Sequence, residues 1–430
     1  MIINKLYKIY KEHPEITTDS RNVTQNSIFF ALKGGNFNGN KYAKDALKKG
    51  ASYAIIDEKE YQDGEQYILV DDVLLTLQTL ALYHRRQLNI PFLAITGSNG
   101  KTTTKELISS VLSIGYKTHF TKGNFNNHIG VPLTILAIPD NTEIAVIEMG
   151  ANHQAEINLL SHITEPTHGI ITNIGKAHLE GFGGLEGVKK GKSELYQYLS
   201  ENNGIAFINT DLEHLQELTN EKKVKQIISY NEQHGKNYHT KLVDLEPFVE
   251  IKLSDNRETI TIHSKLIGEY NAINILAAIA IGKFFYLSNK QIQIGIEQYI
   301  PKNNRSQIVQ KENNTFILDA YNANPTSTQH ALEHFSNVNT SNKIVILGDM
   351  LELGTHSHRE HQNMVVLANN LGFDKVILVG KEYSKVINCC DNLYFSNVQQ
   401  LKTWFDNQDF ENTHFLIKGS RAIRLEHLIQ

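Results

Sequence analysis

The sequence contains little cysteine, no long apolar run and no strong excess of charge of either sign. Its 430 residues include only two cysteines, Cys389 and Cys390, and adjacent cysteines rarely bridge each other. A disulfide framework is therefore excluded, which favours a reducing compartment. The N-terminus lacks the apolar core of a signal peptide, and no apolar run reaches the length of a membrane span. We expect a soluble cytoplasmic protein with no membrane partner.

The charge balance also restricts the class of partner. The formal net charge is −4, and no long basic run is present, so nothing predicts nucleic-acid binding. Apolar residues make up 40% of the chain and charged residues 20%, which is typical of globular proteins. A chain of this length is expected to form two or three domains, each with its own core.

The pattern of apolar runs divides the chain into three blocks: 1–88, 89–303 and 304–430. Strand-like and helix-like runs alternate in the second block and again in the third, which predicts an α/β protein with parallel sheets. The predicted strands lie at 27–32, 51–56, 92–96, 144–149, 169–174, 205–209, 226–230, 315–319, 343–347, 375–379, 393–395 and 413–417. The predicted helices lie at 42–49, 73–86, 101–114, 155–163, 185–199, 212–219 and 270–285, and a β-rich insertion lies at 249–267.

The most informative segment is GSNGKTTTKE, which follows the apolar run 92–96. A glycine-flanked loop between a strand and a helix presents backbone N–H groups and a helix N-terminus to an anion. Lys101 adds a mobile cation, and the hydroxyl of Thr102 is suited to a nucleotide-bound magnesium ion. The common form of this loop has an earlier glycine where this chain has Ile95, so the loop is a shorter variant.

Polar residues follow the next two strands of the second block. Glu148 ends one strand, where a carboxylate facing the phosphate loop can bind Mg²⁺ directly or through water. His178 follows the strand at 169–174, but histidine is an unusual ligand of magnesium, and chemistry alone leaves its role open. Lys189, Lys190 and Lys192 form a cluster that is either a solvated helix face or a source of charge for an anionic substrate.

Three further motifs place amides and acids in loops. NFNNHIGVP contains Asn126 and Asn127 before a helix that we expect to begin at Pro132. DAYNANP and GDMLELG each follow a strand of the third block. Both motifs are expected at the carboxyl edge of the second sheet, where ligands of open parallel sheets bind.

Together, in this order, GSNGKTTTKE, NNHIGVP, EMGANHQAEI, NIGKAHLEGF, YNANP and GDMLELG resemble the Mur ligases over the whole chain. The resemblance implies an N-terminal domain for the UDP end of the substrate (1–88), a central ATPase (89–303) and a C-terminal Rossmann-like domain (304–430). EMGANHQ and YNANP indicate the branch that joins D-alanyl-D-alanine to UDP-N-acetylmuramoyl-tripeptide through an acyl phosphate, which supplies peptidoglycan synthesis. The implied partners are these small molecules, and the implied oligomeric state is a monomer.

The resemblance also implies site residues. ATP is expected at Gly97, Ser98, Asn99, Gly100, Lys101, Thr102, Thr103, Asn271, Arg305, Asp319 and Asn322. Two magnesium ions are expected, with Thr102, Glu148 and His178 as ligands. Lys192 corresponds to a lysine that is carbamylated in related enzymes, and Lys101, Lys192 and His178 form the expected catalytic set. Substrate contacts are expected at Ser20, Arg21, Asn126, Asn127, Ser420 and Arg421.

Alternative functions differ in substrate or in activity. A sister ligase that adds the third amino acid typically carries a DNPR-type motif, which this chain lacks. Folylpolyglutamate synthetase shares the style of phosphate loop but not the GANH segment. A non-catalytic nucleotide-binding relative is disfavoured by the presence of Lys101, Thr102, Glu148 and His178. The sequence does not distinguish lysine from diaminopimelate as the third residue of the tripeptide.

Overall fold

The structure, a computed structural model, describes residues 2–302, 304–387 and 392–429. Cys389 and Cys390, and residue 303 at the predicted end of the middle block, lie outside these ranges. Within them, the strands form a four-stranded sheet, a ten-stranded sheet, a six-stranded sheet and a two-stranded hairpin. The predicted α/β class is confirmed. No helix in the described ranges combines the length and apolar character needed to cross a bilayer.

The first block forms the four-stranded sheet, whose strands are all parallel in the order β1-β2-β5-β6. Its elements are α1 (Ile2–Glu12), β1 (Ile16–Thr17), β2 (Ile28–Phe30), β3 (Lys33–Gly34), β4 (Phe37–Asn38), α2 (Ala43–Lys48), β5 (Tyr53–Ile56), β6 (Tyr67–Leu69) and α3 (Val73–Arg85). Helix α1 was not predicted. It buries Leu6 and Tyr10, and the Tyr10 hydroxyl donates to the carbonyl of Leu136 at 2.7 Å, which attaches this block to the next.

The middle block forms the ten-stranded sheet, in the order β16-β15-β14-β13-β12-β11-β10-β7-β9-β8. Its elements are β7 (Phe92–Thr96), α4 (Lys101–Leu112), β8 (Thr118–Phe120), α5 (Gly130–Leu136), β9 (Ile144–Glu148), α6 (Glu156–Thr164), β10 (His168–Ile171), α7 (Leu179–Phe182), α8 (Leu185–Glu201), β11 (Ile205–Asn209), α9 (Glu213–Glu221), β12 (Gln226–Tyr230), β13 (His234–Gly235), β14 (Tyr238–Asp244), β15 (Glu250–Ser254), β16 (Thr259–His263), α10 (Glu269–Phe284) and α11 (Asn289–Glu297).

The parallel part of this sheet positions the candidate site. Every residue of β7 and β9 is buried, as expected for strands covered by helices on both faces. The chain passes from β9 to β10 across β7, which places β7 between them. The loops that follow these three strands therefore meet at one edge of the sheet, where the strand order reverses and ligands of such folds bind.

Several predicted boundaries in the middle block were wrong. The strand predicted at 169–174 ends at Ile171, because the next residues turn to hydrogen-bond with the phosphate loop. The helix predicted from Pro132 begins at Gly130, where Asn127 accepts hydrogen bonds from the N–H groups of Ile129 and Gly130. The β-rich insertion begins at His234 rather than near residue 249, as an antiparallel extension of the parallel sheet.

The last block forms the six-stranded sheet, in the order β17-β18-β22-β19-β20-β21. Its elements are β17 (Gln307–Lys311), β18 (Asn314–Asp319), α12 (Pro325–Asn337), β19 (Lys343–Gly348), α13 (Ser357–Asn370), β20 (Lys375–Val379), α14 (Lys381–Ser384), β21 (Leu393–Phe395), α15 (Val398–Phe405) and β22 (His414–Lys418). All strands except β17 run parallel, and β17 pairs antiparallel with β18 at the edge. This edge strand was not predicted.

Candidate active site

The phosphate loop is held by the neighbouring strand end rather than by its own residues alone. The N–H of Ser98 donates to the carbonyl of Asn173 at 3.0 Å, and the N–H of Asn99 donates to the Asn173 side chain at 2.9 Å. The hydroxyl of Thr172 donates to the carbonyl of Asn99 at 2.6 Å. These hydrogen bonds therefore hold the loop in its conformation without a ligand.

Two glycines in the loop cannot be replaced without strain. Gly97 has φ of 144°, and a Cβ there would lie 2.0 Å from the hydroxyl oxygen of Thr172. Gly100 has φ of 77°, and its Cβ would lie 2.7 Å from the side-chain oxygen of Asn274. Both positions need a left-handed backbone and close packing, which glycine alone supplies at little cost.

Lys101, the first residue of α4, folds back over the loop. Its Nζ donates to the carbonyls of Gly97 and Ser98 at 2.7 and 3.1 Å. Burial lowers the pKa of Lys101 to about 8, against the opposing effect of Glu148. An ammonium group that is poorly solvated and hydrogen-bonded to neutral carbonyls is well suited to accept an anionic phosphate as its partner.

Glu148 ends β9 beside the phosphate loop, and one of its carboxylate oxygens accepts no hydrogen bond from the described residues. Its Oε1 accepts from the Thr102 hydroxyl at 3.1 Å and from the Asn126 amide at 2.8 Å. Its Oε2 is buried and accepts no hydrogen bond, although the Nζ of Lys105 lies 3.9 Å away. A buried carboxylate oxygen without a donor, next to a threonine hydroxyl, fits the first coordination shell of a hard cation such as Mg²⁺.

Lys105 was missed by the sequence analysis. It lies one helical turn after Lys101 and is buried, with its Nζ donating to the carbonyl of Thr121 at 2.8 Å. Its ammonium group supplies positive charge to the buried Glu148 carboxylate, which limits the cost of burying that charge. The sequence signal for Lys105 was its spacing of four residues from Lys101, which places both side chains on the same face of a helix.

Lys192 lies beneath the cleft rather than in its wall. It is fully buried in α8, where its Nζ donates to the carbonyl of Ala151 at 3.0 Å and lies 5.1 Å from the centre of the Phe182 ring. Burial lowers the pKa of Lys192 well below its usual value, and the charge of Lys101 adds to this effect. Lys192 is therefore not part of a solvated helix face, in contrast to the exposed Lys190.

His178 lies immediately before α7 and meets the last block. It has a left-handed backbone, with φ of 52°, and its Nδ1 hydrogen-bonds with the carboxylate of Glu352. This bond holds the pKa of the Glu352 carboxyl below its usual value. Glu352 belongs to GDMLELG, so this motif contacts the middle block through the loop that follows β19.

Two further contacts cross the same boundary. The Asn324 amide donates to the side-chain oxygen of Asn99 at 2.7 Å, which joins YNANP to the phosphate loop. The Nζ of Lys176 lies 2.7 Å from the Glu360 carboxylate. The two motifs of the last block therefore contact the two loops that follow β7 and β10.

A cleft of about 850 Å³ lies between these elements. Most of the predicted site residues line it, namely Ser98, Asn99, Gly100, Lys101, Thr102, Thr103, Asn126, Asn127, Glu148, His178, Asn271, Arg305, Asp319 and Asn322. Asn271 reaches it from α10 and Lys101, Thr102 and Thr103 from the first turn of α4, and the others come from strand ends and loops. Among the described residues, no group of three or more His, Cys, Asp or Glu side chains is placed to hold a metal ion by itself. A Mg²⁺ ion here would complete its shell with phosphate and water oxygens.

In the last block, the residues predicted to contact the nucleotide are held by neighbouring side chains. Asp319 pairs with the buried Lys418, with 2.5 Å between carboxylate and ammonium. The guanidinium of Arg305 lies 3.6 Å from the centre of the Tyr321 ring, and that of Arg421 lies 5.1 Å from it. Tyr321, at the wall of the cleft, thus has two guanidinium groups within cation–π distance of its ring.

Six predicted residues are absent from the cleft lining. Gly97 begins the loop, where its carbonyl accepts from Lys101, and Lys192 donates to the carbonyl of Ala151. Ser20 and Arg21 lie in the first block, where Arg21 is exposed and paired with Asp19 at 2.8 Å. Ser420 is buried and its hydroxyl accepts from the N–H of Leu351 at 3.0 Å. Arg421 reaches the cleft only through Tyr321.

The sequence analysis also missed Asn324, Glu352 and Asn173, which stand inside or beside quoted motifs but were given no role. Asn324 had a detectable signal, because an amide directly before Pro325 marks the start of a helix. For Glu352 and Asn173, a strand-end position was the only signal, since their partners are distant in the sequence.

Comparison with known proteins agrees with this geometry. The chain matches the Mur ligase family catalytic domain over residues 14–85, the Mur ligase middle domain over 95–282 and the Mur ligase glutamate ligase domain over 304–421. The UDP-N-acetylmuramoyl-tripeptide–D-alanyl-D-alanine ligase of Bacillus subtilis is 35% identical over 96% of this chain and 92% of its own. The enzyme of that name from Haemophilus influenzae is 34% identical, with the same coverage.

A solved structure shares the whole architecture. The crystal structure of MurF from Acinetobacter baumannii is 33% identical, covers 96% of this chain and 92% of its own, and superposes with a TM-score of 0.88. Three matching domains in order, close relatives over nearly the full length and a common architecture establish that this chain belongs to the Mur ligase family.

Proposed function

We propose that this protein is an ATP-dependent ligase that joins D-alanyl-D-alanine to UDP-N-acetylmuramoyl-tripeptide, giving the pentapeptide precursor of peptidoglycan. The observation that carries the proposal is a single cleft in which the phosphate loop, Glu148 and the YNANP segment meet. The names of the relatives in Bacillus subtilis and Haemophilus influenzae support the choice of substrates.

The reaction requires two negatively charged groups to approach each other. The terminal carboxylate of the tripeptide attacks the γ-phosphorus of ATP, a carboxylate O–P bond forms, and the bond to the bridging oxygen of ADP breaks. The amine of D-alanyl-D-alanine then attacks the acyl carbon, the C–O bond to phosphate breaks, and the amine loses a proton. Lys101 and the N–H groups of the phosphate loop stabilise the charge on the transferred phosphoryl group.

Magnesium is part of the proposal. The hydroxyl of Thr102 and the unpartnered oxygen of Glu148 would hold one ion, and His178 would contribute to a second. When bound, magnesium neutralises phosphate charge during the transfer. Asn126 holds the Glu148 carboxylate in place through its amide, and Lys105 supplies a buried countercharge.

Of the other predicted contacts, those that line the cleft are supported by their placement, and those outside its lining are supported by the family resemblance. Asn271, Arg305, Asp319 and Asn322 are proposed to contact the nucleotide, because all four line the cleft. Asn126 and Asn127 are proposed to meet the tripeptide end. Ser20 and Arg21 are proposed for the UDP end, and Ser420 and Arg421 for the incoming amine. The domain boundaries 1–88, 89–303 and 304–430, a monomeric state and a cytoplasmic location belong to the same proposal.

Carbamylation of Lys192 is a separate hypothesis, supported by its buried position and lowered pKa. A neutral amine is the form that reacts with carbon dioxide, and burial favours this form. Replacement of Lys192 by alanine should lower kcat at least tenfold, and short-chain carboxylates should restore part of it by filling the vacated space. The matched control is Lys190→Ala on the exposed face of the same helix. It should change neither kcat nor the response of kcat to short-chain carboxylates. Loss of activity in Lys192→Ala without any rescue would count against the hypothesis.

The substrate assignment is tested by measuring phosphate release with matched substrate pairs. UDP-N-acetylmuramoyl-tripeptide and D-alanyl-D-alanine should support turnover, and single amino acids in place of the dipeptide should not. Turnover with UDP-N-acetylmuramoyl-dipeptide and a diamino acid would instead assign the chain to the sister ligase. No turnover with either pair, with nucleotide bound, would favour a non-catalytic relative.

A further inference from the structure

The contact between His178 and Glu352 joins two domains at a candidate metal ligand. His178 follows β10 of the middle domain, and Glu352 follows β19 of the C-terminal domain. We propose that Glu352 is a positioning residue that orients the His178 ring, so that the second metal site is complete only when the C-terminal domain packs against the middle domain. The inference rests on the proposed function, because it assumes that His178 serves a metal.

The hydrogen bond leaves one ring nitrogen for the cleft. Nδ1 of His178 hydrogen-bonds with the Glu352 carboxylate, which is an acceptor, so Nδ1 is the donor of this bond. In the tautomer that donates from Nδ1 the lone pair of the ring is on Nε2, and His178 is among the residues that line the cleft. Histidines that bind metals commonly donate the second N–H to a carboxylate, which fixes ring orientation and raises ligand basicity.

The Glu352 carboxylate is presented by a loop with defined contacts. The Asp349 carboxylate accepts from the N–H groups of Glu382 and Tyr383, both at 3.0 Å. The N–H of Leu351 donates to the Ser420 hydroxyl at 3.0 Å. These bonds fix the loop to the core of the C-terminal domain, so the position of the carboxylate follows that of the whole domain.

A backbone bond next to the side-chain contact gives it a defined geometry. The N–H of Glu180 donates to the backbone carbonyl of Glu352 at 3.2 Å. The loop that carries His178 is thus bound both through the main chain and through the Glu352 carboxylate. Rotation of the C-terminal domain away from the cleft would break both bonds together and release the imidazole from its fixed orientation.

The experiment counts Mn²⁺ ions bound to the full-length protein in the presence of saturating ADP, by electron paramagnetic resonance of free Mn²⁺. The wild type should bind two ions, and His178→Ala should bind one. Glu352→Ala should weaken the affinity for the second Mn²⁺ ion about 10- to 100-fold. Loss of a residue that hydrogen-bonds to a metal ligand typically has an effect of this size. The double variant His178→Ala/Glu352→Ala should bind Mn²⁺ like His178→Ala alone, because Glu352 acts through the ring.

Two further variants separate orientation of the ring from general loosening of the interface. Glu352→Gln keeps an acceptor oxygen and should retain much of the second-site affinity that Glu352→Ala loses. Glu360→Gln removes the ion pair with Lys176 across the same boundary and should leave the second-site affinity within about threefold, since it does not contact His178.

Several outcomes would overturn the inference. These are a single Mn²⁺ in the wild type, an unchanged second site in Glu352→Ala, or equal weakening in Glu352→Ala and Glu360→Gln. Failure of the wild type to bind ADP would overturn the proposed function, and the inference with it. Normal ADP binding with an unaffected second site would overturn only the role of Glu352.

Discussion

Lys101 lies in an environment that disfavours its own charge, and this has a measurable consequence. With its pKa at about 8, roughly half of the Lys101 side chains are charged in the free protein at pH 8. A bound phosphate favours the charged form and raises the pKa. Nucleotide binding should therefore take up protons near pH 8, and nucleotide affinity should fall as the pH rises above 8.

Calorimetry of ADP binding in buffers of different ionisation enthalpy measures this proton uptake. Lys101→Met should abolish the uptake near pH 8, whereas Lys190→Met, at an exposed position of α8, should not change it. The same uptake in the wild type and in Lys101→Met would assign the titrating group elsewhere and contradict this account of the phosphate loop.

The residues of the phosphate loop could be predicted from the sequence because their chemistry is local. Lys101 and Thr102 follow the loop directly, and the glycines mark its turns. Lys105 and Glu352 could not be assigned in this way, since their roles depend on partners brought close by the sheet order. Glu148 could be predicted in part. Its position at a strand end indicated a metal ligand, but only the structure identifies the carboxylate oxygen that accepts no hydrogen bond from the described residues.

At the scale of the element, Asn324 has two separable roles. Its side-chain oxygen accepts from the N–H of Ser327 at 2.9 Å and caps α12, while its amide donates to Asn99 in the phosphate loop. Serine at this position can still cap the helix but cannot reach the loop. Asn324→Ser keeps the cap but loses the bond to Asn99, so it should lower the free energy of unfolding by about 1 kcal/mol and kcat/KM about tenfold.

A remote cap provides the control. Asn397 accepts from the N–H of Gln400 at 3.0 Å and caps α15 on a different part of the C-terminal domain. Asn397→Ala should cost about 1 kcal/mol in the free energy of unfolding and leave kcat/KM unchanged. Denaturant titrations and steady-state kinetics measure both quantities. Wild-type kcat/KM in Asn324→Ser would contradict a functional bond between Asn324 and Asn99.

Elements with a strong local pattern were predicted well, and those defined by their neighbours were not. The bounds of β7, β11 and β12 agree with the predicted strands because these runs are bounded by clear loop residues. Helix α1 was missed, since it packs against Leu136 in a distant part of the chain. Strand β17 was missed although its partner β18 follows it directly, because three of its five residues are polar and none of them is fully buried. Strand β10 was predicted too long because its last residues serve the phosphate loop instead of the sheet.

At the scale of the whole molecule, polar contacts connect the C-terminal domain to the cleft. Three polar contacts of this interface lie beside the open cleft. They join Asn99 to Asn324, Lys176 to Glu360 and His178 to Glu352. Such interfaces allow relative motion of domains. We expect nucleotide and substrate together to reduce the radius of gyration measured by small-angle scattering. Identical scattering curves with and without ligands would contradict a closing motion.

The most direct test of the proposed chemistry follows one oxygen atom. If the tripeptide carboxylate attacks ATP, a carboxylate labelled with ¹⁸O must transfer one labelled oxygen to the inorganic phosphate released after amide formation. Mass spectrometry of the phosphate from a reaction with D-alanyl-D-alanine should therefore detect one ¹⁸O in each phosphate from labelled substrate. Formation of the UDP-linked pentapeptide with unlabelled phosphate would contradict the acyl-phosphate mechanism.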